Sequence, residues 1–266
     1  MSGLISNNPN EVQFHIKTKA GEVGRYVILP GDPGRVRQIA QYLDNAEFVA
    51  QNREYTTFTG FLLGKMVSVT STGIGGPSAA IAVEELIKCG ADTFIRVGTS
   101  GGISTDVIGG DLLIATAAVR GEGTSKEYLS EDYPAVANFN VMNALYQSAK
   151  ALSTNEDGNR FHMGVVQSKD SFYGEINPEN MPNSSFLKNR WENYVKANCL
   201  CSEMEAAALF SVSIARNVRA GAVLTALWNV ERTNSGLPDK TCYDSTRAIK
   251  CAIDAIKLLI KEDYNC

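Results

Sequence analysis

Long apolar runs are missing from this sequence, and none approaches the roughly 18–20 residues that a membrane-spanning helix needs. Its start, MSGLISNNPNEVQFH, has neither the basic cluster nor the apolar stretch of an export signal, so a cytoplasmic protein is expected. Histidine is scarce: His15 and His162 are the two, without an H-E-x-x-H pattern, which argues against a His-based catalytic metal site. Basic clusters are absent as well. Lys and Arg number 25 against 29 Asp and Glu, a net charge of −4, so nucleic acid is not the expected partner. A few well-placed arginines can still bind a small anion. Cys89, Cys199, Cys201, Cys242, Cys251 and Cys266 are scattered, and the C-x-C of Cys199 and Cys201 lacks the spacing of a redox or zinc pair. Free thiols are expected. No Pro/Gly/Ser-rich linker or repeat divides the 266 residues, so one domain over 1–266 is expected, with residues 1–14 as a flexible extension.

What is present is ample core material, 44% hydrophobic residues, arranged as short apolar runs alternating with helix-period segments. That is the pattern of an α/β domain with a mixed or parallel sheet flanked by helices. Strands are predicted at 26–29, 67–71, 94–97, 112–115, 164–167 and 222–226. A helix is predicted over about 35–43, and another from Pro77 to a cap at Gly90. Ile249, Ile253, Ile256 and Ile260 follow helical spacing and define the clearest helix.

Three of these strands end in glycine with arginine or hydroxyl residues: Gly31-Asp32-Pro33-Gly34-Arg35, Thr72-Gly73-Ile74-Gly75-Gly76-Pro77-Ser78, and Arg96-Val97-Gly98-Thr99-Ser100-Gly101-Gly102. Each alone could be a tight turn. Together they fit an anion site at the carboxyl ends of strands, where glycine lets backbone N–H groups come close. None has the spacing of a dinucleotide fingerprint, and GFLLGK (60–65) is one residue short of a P-loop. The second constellation is Ser202-Glu203-Met204-Glu205-Ala206-Ala207-Ala208. At a strand-to-helix entry, one carboxylate could face a cleft while the other caps or pairs, and an ionised carboxylate suits vicinal sugar hydroxyls. A solvated helix start is the plainer alternative.

GDPGRV (31–36), NREYTTFTG (52–60), STGIGGPSAAIAVEEL (71–86), IRVGTSGG (95–102), SKDSFYG (168–174) and SEMEAAALF (202–210) occur in this order over nearly the whole chain. In these motifs the sequence resembles the nucleoside phosphorylase family, and within it the uridine phosphorylase branch. The resemblance implies a single α/β domain around a mixed, partly barrel-like sheet. It implies phosphorolysis of a nucleoside to free base and pentose 1-phosphate, with phosphate as co-substrate and no organic cofactor. It also implies a dimer-based homo-oligomer, a hexamer, with active sites shared between subunits. Carried over by motif, Gly31, Arg35, Arg96 and Thr99 would bind phosphate, with Arg53 entering from a neighbouring subunit. Met204 and Glu205 would hold the ribose, with His15 of the neighbour at the 5′-hydroxyl, and Arg96, Thr99 and Glu205 would carry the catalysis. Phe172, Glu175 and Asn229 would surround the base, and Arg232 could bear on the base pocket or as easily be a surface loop residue. Glu54, Ile74 and Ser78 match positions that hold a monovalent cation in some relatives.

Base recognition is where the pattern departs. Glu175 stands where the uridine phosphorylases that this sequence most resembles have Gln, and Asn180 where they have Arg. A carboxylate accepts from a ring N–H but cannot donate to a carbonyl, so uracil is expected to lose donors here. Asn229 stands where purine-specific relatives place an acid that protonates the leaving base, and an amide is no general acid. The expectation is therefore a pyrimidine nucleoside. The rivals are a purine nucleoside phosphorylase, with Glu175 accepting a purine N1–H, and a nucleoside-binding relative without turnover. A nucleosidase would have no need of Arg35, Arg53 and Arg96.

Overall fold

Continuous apolar runs become strands that are covered on both faces. In the computed structural model, which describes residues 8, 10–153 and 160–265, β1 (Tyr26–Pro30) is buried at every position. The chain turns through α1 (Pro33–Ala40), where Pro33 opens the first turn and Asp32 accepts the Gly34 N–H at 2.8 Å. β2 (Asp44–Asn52), β3 (Tyr55–Leu62) and β4 (Lys65–Thr70) form an antiparallel meander. α2 (Gly76–Lys88) leads into β5 (Thr93–Gly102) and β6 (Leu112–Gly121), followed by β7 (Ala135–Val136) and α3 (Phe139–Leu152). β8 (Phe161–Lys169), α4 (Phe172–Ile176), α5 (Ser184–Lys196), β9 (Cys201–Glu203) and α6 (Ala206–Ala215) come next. β10 (Arg219–Asn229), α7 (Val230–Asn234) and α8 (Thr246–Tyr264) complete the order.

One sheet joins the strands in the order β10-β6-β8-β9-β5-β1-β4-β3-β2, with β10 also paired to β5. That additional pairing closes β5, β9, β8, β6 and β10 into a five-stranded mixed barrel, and β1, β4, β3 and β2 extend from it as a wing. The result is a single α/β domain. β1, β5 and β10 run parallel, so their carboxyl ends lie side by side, Pro30 opposite Val97 and Asn229 opposite Gly102. A register shift between Ala226 and Trp228 re-aims the end of β10.

Side chains alternate between two core layers. Val27 and Leu29 pack with Phe94, Val83, Leu86 and Phe210 on the side of α2 and α6. Tyr26 and Ile28 pack with Ile95 and Leu145, and with Ile249, Ile253, Ile256 and Ile260 of α8. The helical spacing of those isoleucines thus buries one stripe of α8, and truncating any of them to alanine belongs to the class of change costing about 2–5 kcal/mol. The described cysteines are free thiols, and burial pushes Cys199 and Cys251 up to about 12; Cys266 lies outside the described residues. So do residues 1–7 and 9 of the expected extension, while Gln13 is buried and its N–H donates to Thr18 O at 2.8 Å.

A buried carboxylate ties the barrel strands together where they begin. Asp111, just before β6, accepts from Arg160 Nε at 3.3 Å, His162 Nε2 at 3.0 Å and the Ile108 N–H at 2.9 Å. Burial alone would raise this carboxyl, but the bonds from His162, Arg160 and Ile108 outweigh it and hold it below the usual aspartate range. A depressed folded-state pKa contributes stability above the unfolded value near ~3.9, which is lost as pH falls through the folded value. Asp111→Asn is expected to cost about 1–3 kcal/mol at pH 7. The deficit, read from urea midpoints, should shrink as the pH is lowered toward ~3.

Candidate functional site

The parallel strand ends meet α4, α5, β9 and α7 around an open cleft of about 1170 Å³. Two of the three glycine-bearing loops enter it with an arginine each, and the third contributes Gly73 and Ile74. Arg96 points off β5 and is buried. Its Nε donates to Glu203 Oε2 at 2.9 Å, and its Nη2 meets Glu205 Oε2. Gly98 makes room for this: a Cβ there would lie 2.7 Å from Arg96 Nη2. Burial pulls the Arg96 guanidinium down, but Glu205 and Glu203 more than offset it and drive it up. Arg35, from α1, donates to Val97 O at 3.4 Å. Burial, helped by nearby Arg96 and opposed by Asp32, lowers its pKa. Two cations disfavouring each other across a cleft edge with Thr99 and Gly31 form an end suited to an anion.

The two glutamates divide their work as a strand-to-helix entry permits. Glu203 ends β9 fully buried and accepts the N–H groups of Glu205 and Ala206, at 2.9 and 3.0 Å, beside its Arg96 contact. It thereby satisfies the first turn of α6 and holds Arg96. Ser168 Oγ donates to its other oxygen. Glu205 lines the cleft and accepts the Gly75 N–H, an approach that the left-handed Gly75 (φ 94°) makes available. Burial raises the Glu205 pKa against the pull of Arg96. The solvated-helix alternative is excluded, since both carboxylates are buried.

Phe172, half exposed, lines the same cleft with Glu175, Trp191, Trp228 and Val230, and Lys169 Nζ lies 5.8 Å from its ring centre. Glu175 Oε1 lies 2.8 Å from Lys169 Nζ and also accepts from Ser202 Oγ, which in turn accepts from Lys169. Trp191 Nε1 donates to Glu231 Oε1 at 2.7 Å, joining α5 to α7 in the cleft lining. Sequence reasoning missed Lys169 and Ser202, although both stand in quoted motifs; a lysine closing a strand three residues before Phe172 was the available signal.

Gly31, Arg35, Arg96, Thr99, Phe172, Glu175, Met204 and Glu205 are thus brought to one cleft. His15, Arg53 and Asn180 are not among its lining. His15 Nδ1 pairs with Glu85 at 2.7 Å, and Arg53 is exposed at the β2–β3 turn. Glu54 and Ile74 line the cleft edge, and Ser78 Oγ donates to Glu54 at 2.6 Å. Among the described residues no group of three or more His, Cys, Asp or Glu is placed to hold a metal.

Asn229 is a correction, because it does not line the cleft, and Arg232, outside the lining too, takes the surface-loop alternative. Asn229 is fully buried: its amide donates to Ser104 O at 2.7 Å and Val107 O at 2.8 Å, and its Oδ1 accepts from Glu231 and Arg232. It has nothing left for a base. Arg232 donates to Pro238 O and Thr105 O, which pins the loop after α7. Asn229→Asp would set a carboxylate against two carbonyl oxygens. We expect a loss of about 2–4 kcal/mol in urea unfolding and no gain of purine turnover.

The profile of the phosphorylase superfamily matches residues 25–247. The uridine phosphorylase of Treponema pallidum (strain Nichols) is 49% identical over 95% of this chain and 96% of its own. That of Thermococcus kodakarensis is 45% identical over 95% of this chain and 88% of its own. The guanosine phosphorylase of Halorubrum lacusprofundi is 39% identical over 93% of this chain and 99% of its own.

Proposed function

The chain belongs to the phosphorylase superfamily, and from that premise we propose that it is a uridine phosphorylase-type nucleoside phosphorylase, a pentosyltransferase that moves the pentose of a nucleoside from base to inorganic phosphate. The carrying observation is one cleft that joins an arginine- and glycine-lined anion end to a carboxylate and an aromatic floor. Arg35, Arg96, Thr99 and the backbone at Gly31 hold phosphate, Glu205 and Met204 hold the ribose, and Phe172 packs on the base. The C1′–N bond breaks with its electron pair leaving on the base, positive charge develops on the sugar ring, and a phosphate oxygen attacks C1′. Phosphate is already a nucleophile, so orientation of two substrates is what the side chains supply. Glu203 positions both Arg96 and the turn that carries Glu205.

Sharing of sites between subunits belongs to this reading. His15 and Arg53 lie away from their own cleft, and Ile74 at its edge is 78% exposed. A dimer-based hexamer would bring His15 to the 5′-hydroxyl and Arg53 to the phosphate of a neighbour. Glu54 and Ser78, oxygen donors in contact, fit a monovalent cation at that junction. The free thiols among the described residues suit a reducing compartment, so we place the enzyme in the cytoplasm, in nucleoside salvage. A purine reading is favoured by one observation, the acceptor-only Glu175 at the base end, and the Halorubrum lacusprofundi relative is a guanosine phosphorylase.

Release of free base from uridine, thymidine, inosine and adenosine, each with and without phosphate, tests the reading. Phosphate-dependent cleavage of uridine is expected. Cleavage of the purines alone would make this a purine phosphorylase, and turnover of none would leave a nucleoside-binding relative.

A further inference from the structure

Uracil and 6-oxopurines share one edge, a ring N–H beside a carbonyl oxygen, whereas cytosine and adenine present a bare ring nitrogen beside an amino group. The base end of the cleft carries a matching polarity. An ammonium has three donors and no acceptor; an ionised carboxylate has acceptors only. Lys169 gives one N–H to Glu175 Oε1 and one to Ser202 Oγ, which leaves a third. Glu175 Oε1 takes both Lys169 and the Ser202 hydroxyl, and its Oε2 has no partner among the described residues. A glutamine or serine could turn to suit either edge, but neither member of this pair can reverse its sign. Both side chains are under a tenth exposed. Their seats are fixed: Lys169 ends β8, Ser202 is paired in register with Gln167, and Ser171 caps the short helix of Glu175 by accepting the Gly174 N–H.

We infer that Lys169 and Glu175 are the specificity-determining pair for the base, Glu175 accepting the ring N–H while Lys169 donates to the adjacent carbonyl. The inference rests on the reading of this cleft as a nucleoside site. It returns the donor that the sequence, with Glu175 and Asn180, leaves uracil without. It also admits 6-oxopurines, because the edge and not the ring size is read. Cytosine or adenine would set a lone pair against the carboxylate and an amino group against the ammonium. With both groups desolvated, rejection on the order of 10³-fold or more is expected.

The test compares kcat/KM for uridine, cytidine, inosine and adenosine in the wild type, Lys169→Met and Glu175→Gln. It adds calorimetric affinities of the wild type for uracil, cytosine, hypoxanthine and adenine in the presence of phosphate. Lys169→Met should lower kcat/KM for uridine about 10- to 100-fold through the loss of one charged donor, with the KM for phosphate little changed. Glu175→Gln, whose amide can donate to a ring nitrogen, should narrow the uridine-to-cytidine ratio at least about tenfold. Variants that keep the wild-type ratio, or a wild type that binds uracil and cytosine equally, would overturn the inference. Failure to bind hypoxanthine would remove its purine half. Absence of phosphorolysis alone would strike the functional reading instead, since base binding by the wild type still decides the pair.

Discussion

Arg96→Ala is expected to lower kcat/KM for phosphorolysis by on the order of 10³-fold and to cost the fold about 3–5 kcal/mol. Both losses come from the same geometry. Arg96 is the buried partner of Glu203, at 2.9 Å, and of Glu205, so removing it strands two carboxylates without a counter-charge. It is also one of the two guanidinium groups lining the cleft, beside Arg35, and in the proposed function that pair holds the phosphate whose negative charge faces the developing sugar cation. Urea midpoints and activity measured on the same sample separate the effects, because loss of the phosphate contact persists where the variant is fully folded. Activity within about twofold of wild type would refute the assignment, since a charge-assisted contact is worth roughly 1.5–3 kcal/mol.

Glu205→Gln should lower kcat/KM about 10²-fold at neutral pH and abolish a pH dependence that the wild type shows. Burial raises the Glu205 pKa, with Arg96 and the Gly75 N–H opposing it. In the proposed function the ribose hydroxyls donate to the ionised form. Activity should therefore fall as pH drops through a value above the ordinary glutamate pKa of ~4.3, earlier than an exposed carboxylate would dictate. An amide does not titrate, so the variant should lose that acid limb while remaining slow throughout. The same limb in the variant would assign the titration to another group.

What could be read from residues alone was whatever the local pattern determines. The buried run at Tyr26–Leu29 and the isoleucine stripe of α8 declare themselves because one core face fixes them. The β2–β3 hairpin was not read, because Asp44–Asn52 is mostly exposed and polar, and its pairing with β3 alone makes it a strand. α5 likewise has no buried residue, yet supplies Trp191 to the cleft wall. Arg35, Arg96 and Thr99 were legible because a strand end followed by glycine is a local feature. Asn229 was misplaced because only the loop that brings Ser104 and Val107 against it shows that its amide is spent. Lys169 was passed over for the converse reason. Its meaning lies in meeting Glu175 and Ser202, which contact order along the chain does not reveal.

The central claim is that phosphate, and not water, receives the pentose. The most direct measurement incubates the enzyme with uridine and ³²P-labelled phosphate and quantifies the sugar product. One labelled pentose 1-phosphate for each uracil released is the predicted result. Unlabelled free pentose appearing with the uracil would contradict it, and would make the arginine-lined end of the cleft something other than a phosphate site.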